Sequence, residues 1–116
     1  MDDFPEFMRN PLNAIDPAQQ NPGNFGYLFD GADGTQIGIW TSTRDLEGVV
    51  HEHEFDEYVV VVAGEYTLML GGEEIVLAPG DEYVIPRGVS HGGRFVAGTR
   101  AIHAFGGKRA QRAGSL

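Results

Sequence analysis

The sequence predicts an all-β domain, a barrel or sandwich of short strands, behind an irregular N-terminal arm. Three observations carry this. From Phe25 onward the chain is a succession of short apolar or alternating runs, rich in Val, Ile, Tyr, Phe and Thr. Those residues suit a half-buried pleated surface. Gly, Pro and Asp divide the runs at roughly eight to twelve residue spacing, as the turns of an all-β fold require. No stretch shows convincing helical periodicity, the tail alone leaving that open.

Taken in order, residues 1–24 form the arm. Four of the six prolines (Pro5, Pro11, Pro17 and Pro22) fall there among Asn and Gln, so it is loop-rich, with one short helical turn expected near Pro17–Gln20. Phe4, Phe7, Met8 and Leu12 are apolar enough to dock the arm on its own barrel or a partner's; a mobile terminus is the alternative. Residues 25–107 carry the expected strands FGYLF, TQIGIW, VVHEH, EYVVVV, EYTLML, EEIVLA, EYVIP, GRFVAG and TRAIHAF. Ala63-Gly64 and Gly71-Gly72 read as tight hairpins, and Pro79-Gly80-Asp81 as a further turn. YVVVV is apolar on both faces. One face can fill the barrel, while the other needs a cover, and a homodimer is the simplest way to supply it. In the tail, residues 108–116, Lys108, Arg109 and Arg112 either pack on the acidic body by charge or are solvated, and solvation is the expectation.

Composition excludes several classes of function. A chain of 116 residues fits one domain. Its net charge of −9 repels phosphate backbones and anionic membrane surfaces, so neither nucleic acid nor membrane is an expected partner. There is no cysteine, hence no disulfide, thiolate ligand or cysteine nucleophile. The opening MDDFPEFMRN lacks the apolar core of a secretion signal, and no run approaches the roughly 18 apolar residues of a membrane span. A soluble, cytoplasmic protein is expected.

The chemistry concentrates in His51, His53, Glu57 and His91, three of the four histidines and one acid. Neutral imidazoles and a carboxylate are what a divalent transition metal takes as ligands. On a strand, residues two apart place both rings on one face. The spacing reads H-x-H-x3-E-x6-G from His51 to Gly64, then G-x5-P-x-G-x2-H from Gly80 to His91, with 15 residues between. These two segments resemble the paired motifs of the cupin superfamily. The likeness covers residues 48–95 directly, and the flanking strands are consistent with it. Two positions depart. Asp45 stands where the first motif opens with Gly, and Phe95 stands where the second closes with Asn. Neither position is a metal ligand in the family, and Phe95 points to an apolar pocket or core.

The resemblance implies a small jelly-roll barrel in which His51, His53, Glu57 and His91 bind one divalent transition metal. Iron or manganese is favoured, and nickel, zinc, cobalt or copper also suits the donors. Four ligands would leave positions open to a small-molecule substrate or dioxygen. An oxygenase, isomerase or lyase type of enzyme is therefore expected; the alternative is a non-catalytic small-molecule binding or sensing cupin. His103 shares a strand face with Ala101 and Phe105. If that face is inward, His103 is a candidate general base or partner to the site, against the plainer role of a wall histidine. Trp40 is read as core or as a pocket platform, Tyr58 and Tyr66 as candidates for subunit packing. Arg87, Arg94 and Arg100 are weighed as anion anchors, surface ion pairing being the default. Glu52 is expected on the solvent side.

Overall fold

The structure is a computed structural model and describes residues 6–113. Nine strands follow in sequence: β1 Asn24–Asp30, β2 Gln36–Ser42, β3 Leu46–Glu47, β4 Glu57–Ala63, β5 Tyr66–Leu70, β6 Glu73–Leu77, β7 Glu82–Ile85, β8 His91–Phe95 and β9 Arg100–Phe105. They form two antiparallel sheets, ordered β1-β2-β9-β4-β7 and β3-β8-β5-β6. This is the expected all-β jelly roll. Gly71 and Gly72 close the β5–β6 hairpin with φ of 56° and 85°, the doubly left-handed turn that matches strand twist.

Eight of the nine expected runs become strands over half or more of their length. The exception is VVHEH. Pairing there is confined to Leu46–Glu47 against Phe95 and Arg94, and His51 makes only an isolated bridge to His91. Residues 48–56 otherwise run irregularly, with bends at Glu54 and Phe55.

The space between the sheets has two unlike halves. Where β4 and β7 face β5 and β6, Val59, Val61, Leu68, Leu77 and Ile85 pack into a solid core. Where β1, β2 and β9 face β3 and β8, small inward residues leave a cavity of about 470 Å³. Gly38 and Gly26 flank Trp40, and a Cβ at either position would run into the indole. Gly93 lies under the Tyr66 ring in the same way.

Arm and tail close this open half together. Short 3-10 turns occupy Glu6–Arg9, Pro11–Asn13 and Pro17–Gln19, the last where a helical turn was expected. Leu12 does not dock, being 66% exposed, and Phe4 with the side chains of Phe7 and Met8 lies outside the described residues. Ile15 docks instead. It is buried with Leu28 and Ala110 against Trp40. The tail is not solvated as expected: Ile15 bridges Arg112, the Asp16 N–H donates to the Gln111 carbonyl at 2.8 Å, and Ala113 donates to Ala14 at 2.6 Å. Buried Gln36 anchors the clasp. Its Oε1 accepts from the N–H groups of Arg109 (2.6 Å) and Ala110 (3.2 Å), and its Nε2 donates to Asp30 (2.6 Å) and the Ala110 carbonyl (2.9 Å). Charge holds the tail too, through Arg112 on Asp30 at 2.8 Å.

Among the described residues no helix is long and apolar enough to cross a membrane.

Candidate metal centre

Three imidazoles converge at the cavity wall although they sit on different kinds of backbone. Reciprocal N–H···O bonds of 2.9 Å join His51 to His91, which opens β8. Gly88, at φ 76°, turns the chain toward His91 and donates its N–H to the His53 carbonyl at 2.8 Å. The sequence motifs meet through these backbone bonds. Ring centroids of His51, His53 and His91 lie 4.5–5.3 Å apart.

Hydrogen bonding fixes which ring nitrogens are free. Nδ1 of His51 is 2.7 Å from the Val49 carbonyl, and Nδ1 of His91 is 2.9 Å from the Val89 carbonyl. A carbonyl only accepts, so each Nδ1 carries the proton and each Nε2 keeps a lone pair for a ligand. His53 Nε2 is buried and has no hydrogen-bond partner among the described residues. Glu57 Oε1 stands 3.3 Å away from it without hydrogen-bonding geometry. Burial holds the His53 imidazole down to about 4; repulsion from His51, Arg109 and His91 adds to this, and Glu57 opposes it. A neutral ring with a buried, unpartnered nitrogen fits a metal ligand. One donor atom from each histidine lies within 4.8 Å of the others, so His51, His53 and His91 can hold a metal ion.

Glu57 opens β4, directly opposite Phe105 of β9 and Ile85 of β7. Its two oxygens have different neighbours. Oε2 accepts from His103 Nδ1 at 3.0 Å, while Oε1 faces His53 and, at 3.7 Å, His91 Nε2. Burial alone would raise the Glu57 carboxyl, but contacts with His103 and His91 outweigh it and hold the group well below the usual carboxylate range. Reciprocally, the carboxylate is the main cause of a raised His91, burial acting against it.

The family model described as "Cupin domain" matches residues 43–104, more than half of the chain. The chain is a cupin. No curated protein sequence matches it. Among solved structures, KdgF from a Halomonas species is similar at 24% identity, covering 82% of this chain and 93% of that one, with TM-score 0.69. An RmlC-like cupin from Shewanella frigidimarina is 24% identical over 89% of this chain and 86% of its own, with TM-score 0.72. Ectoine synthase from P. lautus is 17% identical, covering 93% of this cupin and 78% of itself, with TM-score 0.74. At these identities the likeness is one of fold.

Around the three histidines this cupin places an aromatic wall. His103 is buried on the inward face of β9 with Ala101 and Phe105, and its ring meets Trp40 edge-on at 5.0 Å. Trp40 and Phe95 line the cavity, as one of the two options for each allowed. Tyr66 is not a surface residue: it is buried against the cavity and stacks on Phe95 at 4.7 Å. Glu52 is exposed but sits at the cavity mouth. Arg94 pairs with Glu74 at 2.8 Å on the outside, the surface role expected for it. Several cavity residues escaped the sequence reading, Arg109 the one charged residue among them. Arg109, assigned to a solvated tail, lines the cavity because Gln36 pins its backbone there. No local pattern announces this, since the contact spans 73 positions.

Proposed function

We propose that this cupin is a metal-dependent enzyme acting on a small molecule. The observation that carries the proposal is a set of three convergent imidazoles, one with an orphaned buried nitrogen, opening onto a cavity of about 470 Å³. His51, His53 and His91 would hold one divalent transition metal, with Glu57 Oε1 completing the set. Iron or manganese is favoured, and nickel, zinc, cobalt or copper also suits the donors, since without a thiolate nothing biases the site toward zinc. Such an ion supplies Lewis-acid or redox chemistry when bound. The chain's own residues do the rest. Glu57 Oε2 orients His103 through Nδ1, leaving the other ring nitrogen to take or return a proton. Trp40, Phe105 and Tyr66 form apolar walls that limit water around the reacting group.

Metal analysis of protein purified without a histidine tag tests this reading. About one ion per chain is expected in the wild type, and near none in His91→Ala. Unchanged metal content in His91→Ala would sink it. Oxygen uptake by the Fe(II)-loaded protein, against saturable ligand binding without turnover, separates the enzyme from the sensing alternative.

We also propose a homodimer through the outer face of the five-stranded sheet. Phe25 and Phe29 on β1 are 55% and 56% exposed, and Val84 on β7 is 57% exposed. Between them Ile37, Ile102 and Val60 continue the apolar surface by register. Glu82, beside Val84 on the edge strand β7, is the acid this face carries, so two bodies of net charge −9 repel less across it than across the more acidic remainder. Sedimentation should give twice the chain mass for the wild type and a single chain mass for Phe29→Asp with Val84→Asp. A monomeric wild type overturns the proposal.

A further inference from the structure

Arg109 is a cation facing a cavity in a chain with more than twice as many acids as bases. Arg94 and Arg112 each have a carboxylate at 2.8 Å. The Arg109 guanidinium has no hydrogen-bond or ion-pair partner among the described residues; the only bond its residue makes is from its backbone N–H to Gln36. That bond fixes where the side chain starts, independently of the charge it carries. Arg109 lines the same cavity as His51, His53 and His91. A guanidinium without a partner among the described residues and a cluster of metal-donor imidazoles lining one cavity suit the two ends of one ligand. Trp40 and Phe105 form an apolar flank to it.

We propose that Arg109 is the anchor for a substrate carboxylate, so that the cavity takes small organic acids carrying a second oxygen toward the histidines. This rests on the metal-site reading for the second oxygen only; the carboxylate contact is independent of it. Arg suits the task because its planar fork matches a carboxylate with two parallel hydrogen bonds, stronger than neutral ones. The acidic surface outside the cavity works against nonspecific capture of anions, which leaves the interior guanidinium to select them.

The test uses mandelate, a 2-hydroxy acid with an aromatic ring, and mandelamide, the same shape without the charge. Both are titrated calorimetrically into the full chain, once with its metal and once after chelation. The wild type should bind mandelate at least about tenfold more tightly than mandelamide. Arg109→Gln should abolish that preference, Arg109→Lys should keep part of it, and Arg94→Gln should leave it untouched. Equal affinity for the two ligands in the wild type, an undiminished preference in Arg109→Gln, or no binding of mandelate overturns the inference. The wild-type comparison needs no variant, so misfolding of Arg109→Gln cannot obscure the result. If the preference persists after chelation, the carboxylate anchor stands even where metal analysis rejects the metal centre. If metal is present and the preference is absent, the anchor fails and the metal centre stands.

Discussion

The two halves of the barrel lie between the same two sheets and solve opposite problems. In the half between β4, β7 and β5, β6, inward positions are Val, Leu and Ile, and the space is filled. In the half between β1, β2, β9 and β3, β8, inward positions alternate glycine with large rings, and the space stays open. β9 crosses the boundary. Its inward residues run from Ala101 in the packed half to His103 and Phe105 at the cavity. Buried polar groups such as Glu57 and His103 cost stability even when they satisfy one another. The difference teaches that the solid half stabilises a fold whose other half is kept open for chemistry.

The largest test of that division is Leu68→Ala in the packed half. Leu68 is fully buried, so the variant should lose about 2–5 kcal/mol in urea unfolding, with metal content unchanged. A loss under about 1 kcal/mol would mean that this half does not carry the stability. Next, Gly38→Ala pushes a methyl into the Trp40 ring and should cost about 1–3 kcal/mol by overpacking. Trp40 fluorescence should shift in parallel, and a silent variant would show that the indole is loosely held.

A third test reads the cavity half by pH in the metal-free protein. His53 sits near 4 against an ordinary 6.5, so the unfolded chain binds the proton first. Its contribution is complete above 6.5 and is lost as pH falls toward 4. His91 is raised, so its contribution is complete below 6.5 and is lost as pH rises through its folded value. Glu57 is lowered and adds a further loss below 4.5. The urea midpoint should therefore peak near pH 6.5, with His53→Ala flattening the acid limb and His91→Ala the alkaline one. A profile unchanged by either variant contradicts the coupling described for the site. The smallest effect is expected from Arg112→Ala, whose partly exposed pair with Asp30 is worth at most about 1 kcal/mol. Hydrogen exchange at Asp16 should nevertheless quicken as the clasp loosens.

Much of this architecture is legible residue by residue. Alternation and turn chemistry locate the strands, because each depends on neighbours along the chain. The pairing of His51 and His53 with His91 is legible only through the second motif, since nothing local says that positions 51 and 91 share a bridge. The strand expected at His51 and His53 fails for a physical reason. Among the described residues the segment pairs only through the isolated bridge from His51 to His91, and its irregular path still brings the rings together. Arg109, Ile15 and the burial of Tyr66 were not legible, because each follows from contacts between distant segments. Leu12 illustrates the converse, an apolar residue that hydropathy sends inward and the fold leaves outside.

The clasp between Ile15 and Arg112 joins residues at opposite ends of the described chain. The contact spans nearly the whole described chain, so closing it carries the loop-closure cost of a long separation. The barrel strands can pair without the clasp, whereas the finished binding chamber requires it.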